Sequence, residues 1–187
     1  MTPQRLVCLA ATALAAVVGA GAAAPPPFTT LSYHTIFQPV VGQIIYPRHA
    51  ELSDGTLLVT ASLYGGNIAG PFSDTPPGPD AMMAYFPIFA SHDGGVTWQW
   101  ISNVTDTRNG LGMGAQPALL ELSEPLGGYD AGTVLCAGNS WGPNATHIDL
   151  YASKNKGKSW EFVSNVASGG RPNTTNGADP IWEPFLM

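Results

Sequence analysis

Ser91-His92-Asp93-Gly94-Gly95-Val96-Thr97-Trp98 closes one apolar run and opens another. Ser153-Lys154-Asn155-Lys156-Gly157-Lys158-Ser159-Trp160 nearly repeats it 62 residues further on. Repetition at a fixed spacing decides an architecture, so it is read first. Both stretches have the form S-x-(D/N)-x-G-x-(T/S)-W. An Asp or Asn side chain accepts hydrogen bonds from nearby backbone N–H groups and so locks a turn. Gly95 and Gly157 supply backbone angles that other residues avoid. Trp98 and Trp160 are then free to pack beneath the turn. On this reading Asp93 is a turn clamp and not a catalytic acid.

Working outward from the turns, YPRHAELSDGTLLVTASLYG (46–65) and QPALLELSEPLGGYDAGTVLCAGNSWG (116–142) share one layout. Each is X-Pro, an apolar run, a Gly-containing turn and a second apolar run. Each is followed by a further strand and then the repeated turn. A third copy begins as Trp182-Glu183-Pro184-Phe185-Leu186. Pro47, Pro117 and Pro184 stand 70 and then 67 residues apart. Helical periodicity is almost absent, and 22 glycines with 17 prolines suit many turns between short strands. The expected fold is all-β, with four antiparallel strands per repeat, as in a β-propeller blade. Two blades and one first strand are present. Propellers close with about four to eight blades, so the chain reads as the front part of a longer protein. A two-bladed piece leaves one apolar sheet face uncovered and is expected to be marginal alone.

The first residues, MTPQR and then LVCLAATALAAVVGAGA, with small residues at Ala20, Ala22 and Ala24, have the form of a secretory signal peptide. Residues 1–24 are read as that leader and residues 25–187 as the propeller part. Sequons at Asn103, Asn144 and Asn173 agree with a glycosylated, extracellular protein. No second long apolar stretch follows, so no membrane span is expected after cleavage. A net charge of −6 argues against a nucleic-acid partner. Lys154, Lys156 and Lys158 read as a solvated hairpin tip. Beyond Cys8 of the leader, Cys136 stands alone in TVLCAG, either as a small buried hydrophobe or as half of a disulfide. No metal or cofactor is expected; His147 and Asp149 form an H-x-D too sparse for a metal site.

The two turns match the Asp-box pattern of the sialidase-like, BNR-repeat superfamily. With YPRHAELSDGTLLVTAS before them and NGADPIWEPFLM after them, nearly all of the mature chain resembles the fungal family 93 glycoside hydrolases. That resemblance implies a six-bladed propeller, monomeric when complete. It implies a secreted exo-α-L-arabinanase that cleaves linear 1,5-linked arabinan of plant cell walls with retention of configuration. Two further readings stand beside it: another sialidase-like glycosidase, such as an exo-α-sialidase, or a carbohydrate-binding propeller without catalysis.

Retaining hydrolysis needs two carboxyl groups about 5–5.5 Å apart. Glu183 is the position that the resemblance offers as nucleophile. The residues support it, since a lone carboxylate in an apolar strand is costly to bury without a reason. The alternative is a capping or ion-paired residue. The acid/base lies beyond Met187 in the resemblance, so the 187-residue chain alone is expected to be inactive. The repeat alignment places Tyr46 and Gln116 where Glu183 stands, all three facing the central channel, where Tyr46 and Gln116 are candidates for substrate contact. Arg48, two residues beyond Tyr46, is expected on the same side, either for substrate hydroxyls and the carboxylate or for an ion pair between blades. Trp182 is a candidate sugar-stacking ring. Asp179 either lines the rim or caps the strand. Tyr64, Asn67, Asn139 and Trp141 are expected on loops reaching the active face. His49, pointing the other way from Arg48, is expected in packing, and 70–80 is an insertion that either walls an exo pocket or forms a loose loop.

Overall fold

The computed structural model describes residues 6–10, 32–39, 42–64, 83–173 and 175–187. Among them every regular element is a strand, and no helix is long and apolar enough to cross a membrane. A short ribbon pairs β1 (Leu6–Ala10), which falls in the segment read as a leader, antiparallel with β2 (Ser32–Phe37). The first four-stranded sheet runs β3 (Gln43–Glu51), β4 (Leu57–Tyr64), β5 (Tyr85–Ser91) and β6 (Gln99–Thr105) in chain order. The second repeats that order with β7 (Met113–Glu121), β8 (Val134–Gly142), β9 (Ala145–Ser153) and β10 (Glu161–Gly169). All neighbours are antiparallel. Two such meanders in series are consistent with part of a β-propeller. The 70–80 insertion and Asn67 lie outside the described residues.

The sheets pack face to face because β4, β5 and β8 alternate apolar side chains. Leu58, Phe86, Ile88 and Val104 of the first sheet meet Met113, Val134, Cys136 and Tyr151 of the second, all at most 1% exposed. The opposite face of the first sheet carries Ile44, Val59, Ala61, Leu63 and Phe89. There Phe37 of β2 packs against Phe89 and Trp100, with ring centroids 5.4 and 5.6 Å apart. Gly138 is dictated by this packing. A Cβ on it would lie 2.1 Å from Cε2 of Phe86, so the β8 backbone itself serves as the seat for that ring. Cys136 is a free thiol sealed in the interface, and its burial pushes the thiol pKa up. It behaves as a small hydrophobe.

Both repeated turns form the expected clamp. Ser91 Oγ donates to Asp93 Oδ1 at 2.8 Å and accepts the Gly95 N–H at 2.8 Å. Asp93 accepts the Thr97 N–H at 2.9 Å and the Thr97 hydroxyl at 2.6 Å. In the second clamp Ser153 Oγ accepts the Gly157 N–H at 2.8 Å, and Asn155 accepts the Ser159 N–H at 2.9 Å while donating to Ser159 Oγ at 2.8 Å. Gly95 and Gly157 take φ 89° and 83°. The two tryptophans occupy equivalent places on successive sheets. Trp98 lies on the outer face of the first, and Trp160 reaches into the interface between them.

The lysines of the second clamp are exposed, as expected of a hairpin tip, and two of them also pair with carboxylates. Lys156 crosses to Asp54 in the β3–β4 turn. Lys154 pairs with Glu161 at 2.7 Å and sits 5.1 Å from the Tyr129 ring centroid. These opposite charges are within reach only in the folded sheets, and the sequence offers no cue to them.

The β6–β7 connection is held by one carboxylate. Asp106 accepts N–H groups from Arg108, Asn109, Leu111 and Gly112, and the Ser140 hydroxyl, at 2.7–3.1 Å. Burial alone would raise its pKa; the backbone donors outweigh that and lower it. Fully buried Asp149 is satisfied by the amides of Asn109 (2.6 Å) and Asn165 (2.9 Å), which leaves no open H-x-D pair with His147.

Candidate active site

The X-Pro pairs do more than recur. Tyr46, Gln116 and Glu183 precede the three prolines and take φ 52°, 57° and 57°, all left-handed. A non-glycine residue in that region is strained by about 1–3 kcal/mol and persists only where its surroundings dictate it. Proline removes the next ladder N–H, and the β3–β4 and β7–β8 registers slip at Ile45/Arg48 and Ala115/Ala118. β3 and β7 therefore each carry a bulge in mid-strand, whereas the expected third first strand, 182–186, forms no regular strand and keeps only the left-handed X-Pro geometry at Glu183. β3 and β7 begin three residues before the X-Pro pair, at Gln43 and Met113, earlier than the sequence pattern indicates.

At the third X-Pro pair the Glu183 carboxylate, about half exposed, meets Gln116. Gln116 Nε2 donates to Glu183 Oε1 at 2.6 Å, and the Glu183 N–H donates to Gln116 Oε1 at 3.2 Å. Arg48 Nη2 stands 3.9 Å from Glu183 Oε2, at the outer limit of an ion pair. Its guanidinium also donates to the Pro47 carbonyl at 3.1 Å and lies 5.9 Å from the Tyr46 ring centroid. Tyr46 and Arg48 thus share a side, as expected, although the bulge intervenes between them. The three repeats deliver an aromatic ring, an amide and a carboxylate to one place, with a guanidinium beside them.

The segment leading to Glu183 is fastened to the second sheet by two buried side chains. Thr146 Oγ1 accepts the Ile181 N–H at 3.0 Å and donates to the Gly170 carbonyl at 3.1 Å. Asn139 Nδ2 donates to the Ile181 carbonyl at 2.8 Å. This revises the expectation for Asn139 and Trp141. Neither is on a loop; both lie within β8, at 0% and 4% exposure. Asn139 supports the site from beneath. Trp182 meets Trp141 edge to face, centroids 5.1 Å apart, which orients its ring. Asp179 is exposed and left-handed (φ 48°), and its main-chain carbonyl accepts the Gly170 N–H at 2.7 Å. Tyr64 ends β4. His49 is exposed, not packed; it lines a groove of ≈ 580 Å³ with Glu51, Ser53, Leu119 and Glu121, at the C-terminal ends of β3 and β7. That groove does not contain Glu183, and the convergent polar groups mark the surroundings of Glu183 as the better candidate.

Ser62 and Thr146 are the supporting residues that sequence reading passes over. Ser62, fully buried on β4, accepts the Gln116 N–H at 2.9 Å and so holds the left-handed residue in place. Its only signal is a hydroxyl in an apolar strand, LLVTASLY. The sequons fall at different depths. Asn103 on β6 is exposed, and its Oδ1 accepts the Trp100 indole N–H at 2.8 Å. Asn144 is exposed in the β8–β9 turn, and Asn173 Oδ1 accepts the Thr175 N–H at 3.0 Å.

A carboxylate clasped by an amide and faced by a guanidinium, beside two clamped antiparallel sheets, is consistent with a polar ligand site on part of a β-propeller. No protein-family model and no curated protein matches the chain. Solved structures do. An α-L-arabinofuranosidase of Fusarium graminearum in complex with an iminosugar inhibitor is 45% identical, over 78% of this chain and 37% of its own, with a TM-score of 0.66. The family 93 α-L-arabinofuranosidase of Fusarium graminearum with arabinobiose is 43% identical over 80% and 39%, TM-score 0.68. An α-L-arabinanase of Penicillium chrysogenum with arabinobiose is 43% identical over 77% and 38%, TM-score 0.65. Over most of its length the chain is related to the family 93 glycoside hydrolases, and it spans about two fifths of the length of these relatives.

Proposed function

We propose that this chain belongs to a secreted, retaining exo-glycosidase that acts on linear 1,5-α-L-arabinan, with Glu183 as nucleophile. The observation that carries the reading is the Glu183 carboxylate on a strained left-handed residue, clasped by Gln116 and faced by Arg48. The relatives bound to arabinobiose favour a neutral arabinose-based ligand over a sialic acid. In the reaction the Glu183 carboxylate attacks the anomeric carbon. A second carboxyl group about 5–5.5 Å away protonates the leaving oxygen and then activates water. That second group is assigned to a blade outside these 187 residues, in a six-bladed ring, so the chain by itself does not turn over arabinan. Trp182 and Tyr46 offer rings to the sugar, and Asp179 stands at the rim.

Cleavage near residue 24, N-glycosylation at Asn103, Asn144 and Asn173, and a monomeric state complete the proposal. The test is arabinan hydrolysis by the protein as its source secretes it, with Glu183→Gln as control. Saccharide release from the non-reducing end, lost in the variant, supports the reading. Inactivity on linear arabinan, or full activity in the variant, overturns it. N-terminal sequencing and the mass shift on deglycosylation test secretion and sequon use.

A further inference from the structure

We infer that Gln116 is a positioning residue that aims the Glu183 nucleophile, and that Glu183 Oε2 is the attacking oxygen. The inference rests on the reading of Glu183 as nucleophile and replaces substrate contact as the role of Gln116. Gln116 is 7% exposed, so it has little surface to offer a sugar. Both ends of its amide are spent on one residue, the donor on Glu183 Oε1 at 2.6 Å and the acceptor on the Glu183 N–H at 3.2 Å. An amide is the side-chain group that supplies a donor and an acceptor side by side at neutral pH. The Gln116 backbone has no slack of its own. Its φ is 57°, Pro117 follows, and its N–H is held by buried Ser62 at 2.9 Å. The clasp therefore fixes the main chain and the carboxylate of Glu183 together.

The clasp also distinguishes the two carboxylate oxygens. Oε1 is occupied by the amide, while Oε2 faces Arg48 across 3.9 Å, too long for a tight hydrogen bond. A lone pair of Oε2 forms the bond to the anomeric carbon. The glycosidic C–O bond breaks, its electron pair goes to the leaving oxygen, and the second carboxyl group of the retaining pair protonates that oxygen. Positioning of this kind acts on kcat, because a nucleophile displaced by a fraction of an ångström still leaves the sugar pocket intact.

The test uses the protein as its source makes it, with Gln116→Met and Gln116→Glu beside Glu183→Gln, and follows kcat and KM on linear arabinan against pH. Gln116→Met keeps the size and removes both hydrogen bonds. It is expected to lower kcat about ten- to a hundredfold with KM nearly unchanged, at every pH. In Gln116→Glu the introduced carboxyl, when protonated, can donate to Oε1 and accept the Glu183 N–H as the amide does. When ionised it sets two like charges together. Activity of that variant is expected to approach the wild type at low pH and to fall away as pH rises. Among the described residues Arg48 of β3 is the charged group that faces this pair; Tyr46 stands beside it, and Ser62 of β4 and Asn139 of β8 do not titrate. A purely structural role for Gln116 predicts a loss without that pH signature. A KM rise at constant kcat, or wild-type activity in both variants while Glu183→Gln is inactive, overturns the inference alone. Activity retained in Glu183→Gln removes the nucleophile reading and this inference with it.

Discussion

The indole N–H of Trp160, in the second clamp, donates to the hydroxyl oxygen of Ser102, on the outer strand of the first sheet, at 3.1 Å. Ser102 in turn donates to the Gly157 carbonyl. One hydroxyl on β6 thus ties the tryptophan and the glycine of the next repeat to the sheet before it, and the clamp is a joint between sheets as well as a turn. Ser102→Ala leaves the indole N–H and the carbonyl without their partner. A loss of about 1–3 kcal/mol is expected in urea unfolding of the protein as produced. Trp160→Phe removes only the indole donor and should cost less. Equal stability of Ser102→Ala and wild type would show the joint to be dispensable.

The first clamp carries a charge that the second does not. Hydrogen bonds from the Thr97 hydroxyl, the Thr97 N–H and Ser91 lower the pKa of Asp93 from the ordinary 3.8 to about 2. A folded-state pKa below the unfolded one contributes stability that is present above the unfolded value and lost as pH falls through the folded one. The first turn should therefore weaken between about pH 4 and pH 2. Asp93→Asn, which copies Asn155, should make stability less steep across that window. Some slope persists, because Asp54 and Asp106 are also lowered, by Lys156 and by backbone donors. Urea midpoints at pH 5 and pH 3 for wild type and variant decide it; parallel shifts would refute the assignment.

The clamps, the four-strand repeat and the X-Pro positions are legible in the sequence because each is local and repeated. Asp93, Gly95 and Trp98 do their work within eight residues. The contacts that build the site are not local. Ser62 and Gln116 are 54 residues apart, and Gln116 and Glu183 are 67 apart. A buried serine, threonine or asparagine in an apolar strand gives no sign of which backbone group it will meet. Simple strand alternation cannot see the left-handed bulges at Tyr46 and Gln116, where the register against the next strand shifts. The sequence points to a loop at Asn139 for a related reason: GNSWGPN reads as turn residues, yet β8 continues to Gly142.

Gly138 records how closely the sheets approach. Its missing Cβ is the space that Phe86 Cε2 occupies. Gly138→Ala forces the ring or the strand to shift and is expected to destabilise by about 1–3 kcal/mol or more. Phe86→Leu shortens the side chain at that point, so the double variant should lose less than the sum of the two single changes. Strict additivity in thermal or urea unfolding would mean that the two residues do not share this contact.

Thr146 links stability, glycosylation and the site, and three variants separate them. Its hydroxyl, 0% exposed, accepts the Ile181 N–H, two residues upstream of Glu183, and donates to the Gly170 carbonyl, one residue past the end of β10. The same residue completes the Asn144-Ala145-Thr146 sequon. Thr146→Val keeps the shape and strands a buried N–H, so a loss of about 1–3 kcal/mol is expected. Arabinan activity should fall as well, since the segment that carries Glu183 loses its anchor. Thr146→Ser keeps hydroxyl and sequon and should restore both properties. Asn144→Gln removes the sequon and spares the hydroxyl. If it reproduces the Thr146→Val loss, the effect belongs to the glycan; if it behaves as wild type while Thr146→Val fails, the hydroxyl is what holds the Glu183 segment against β9.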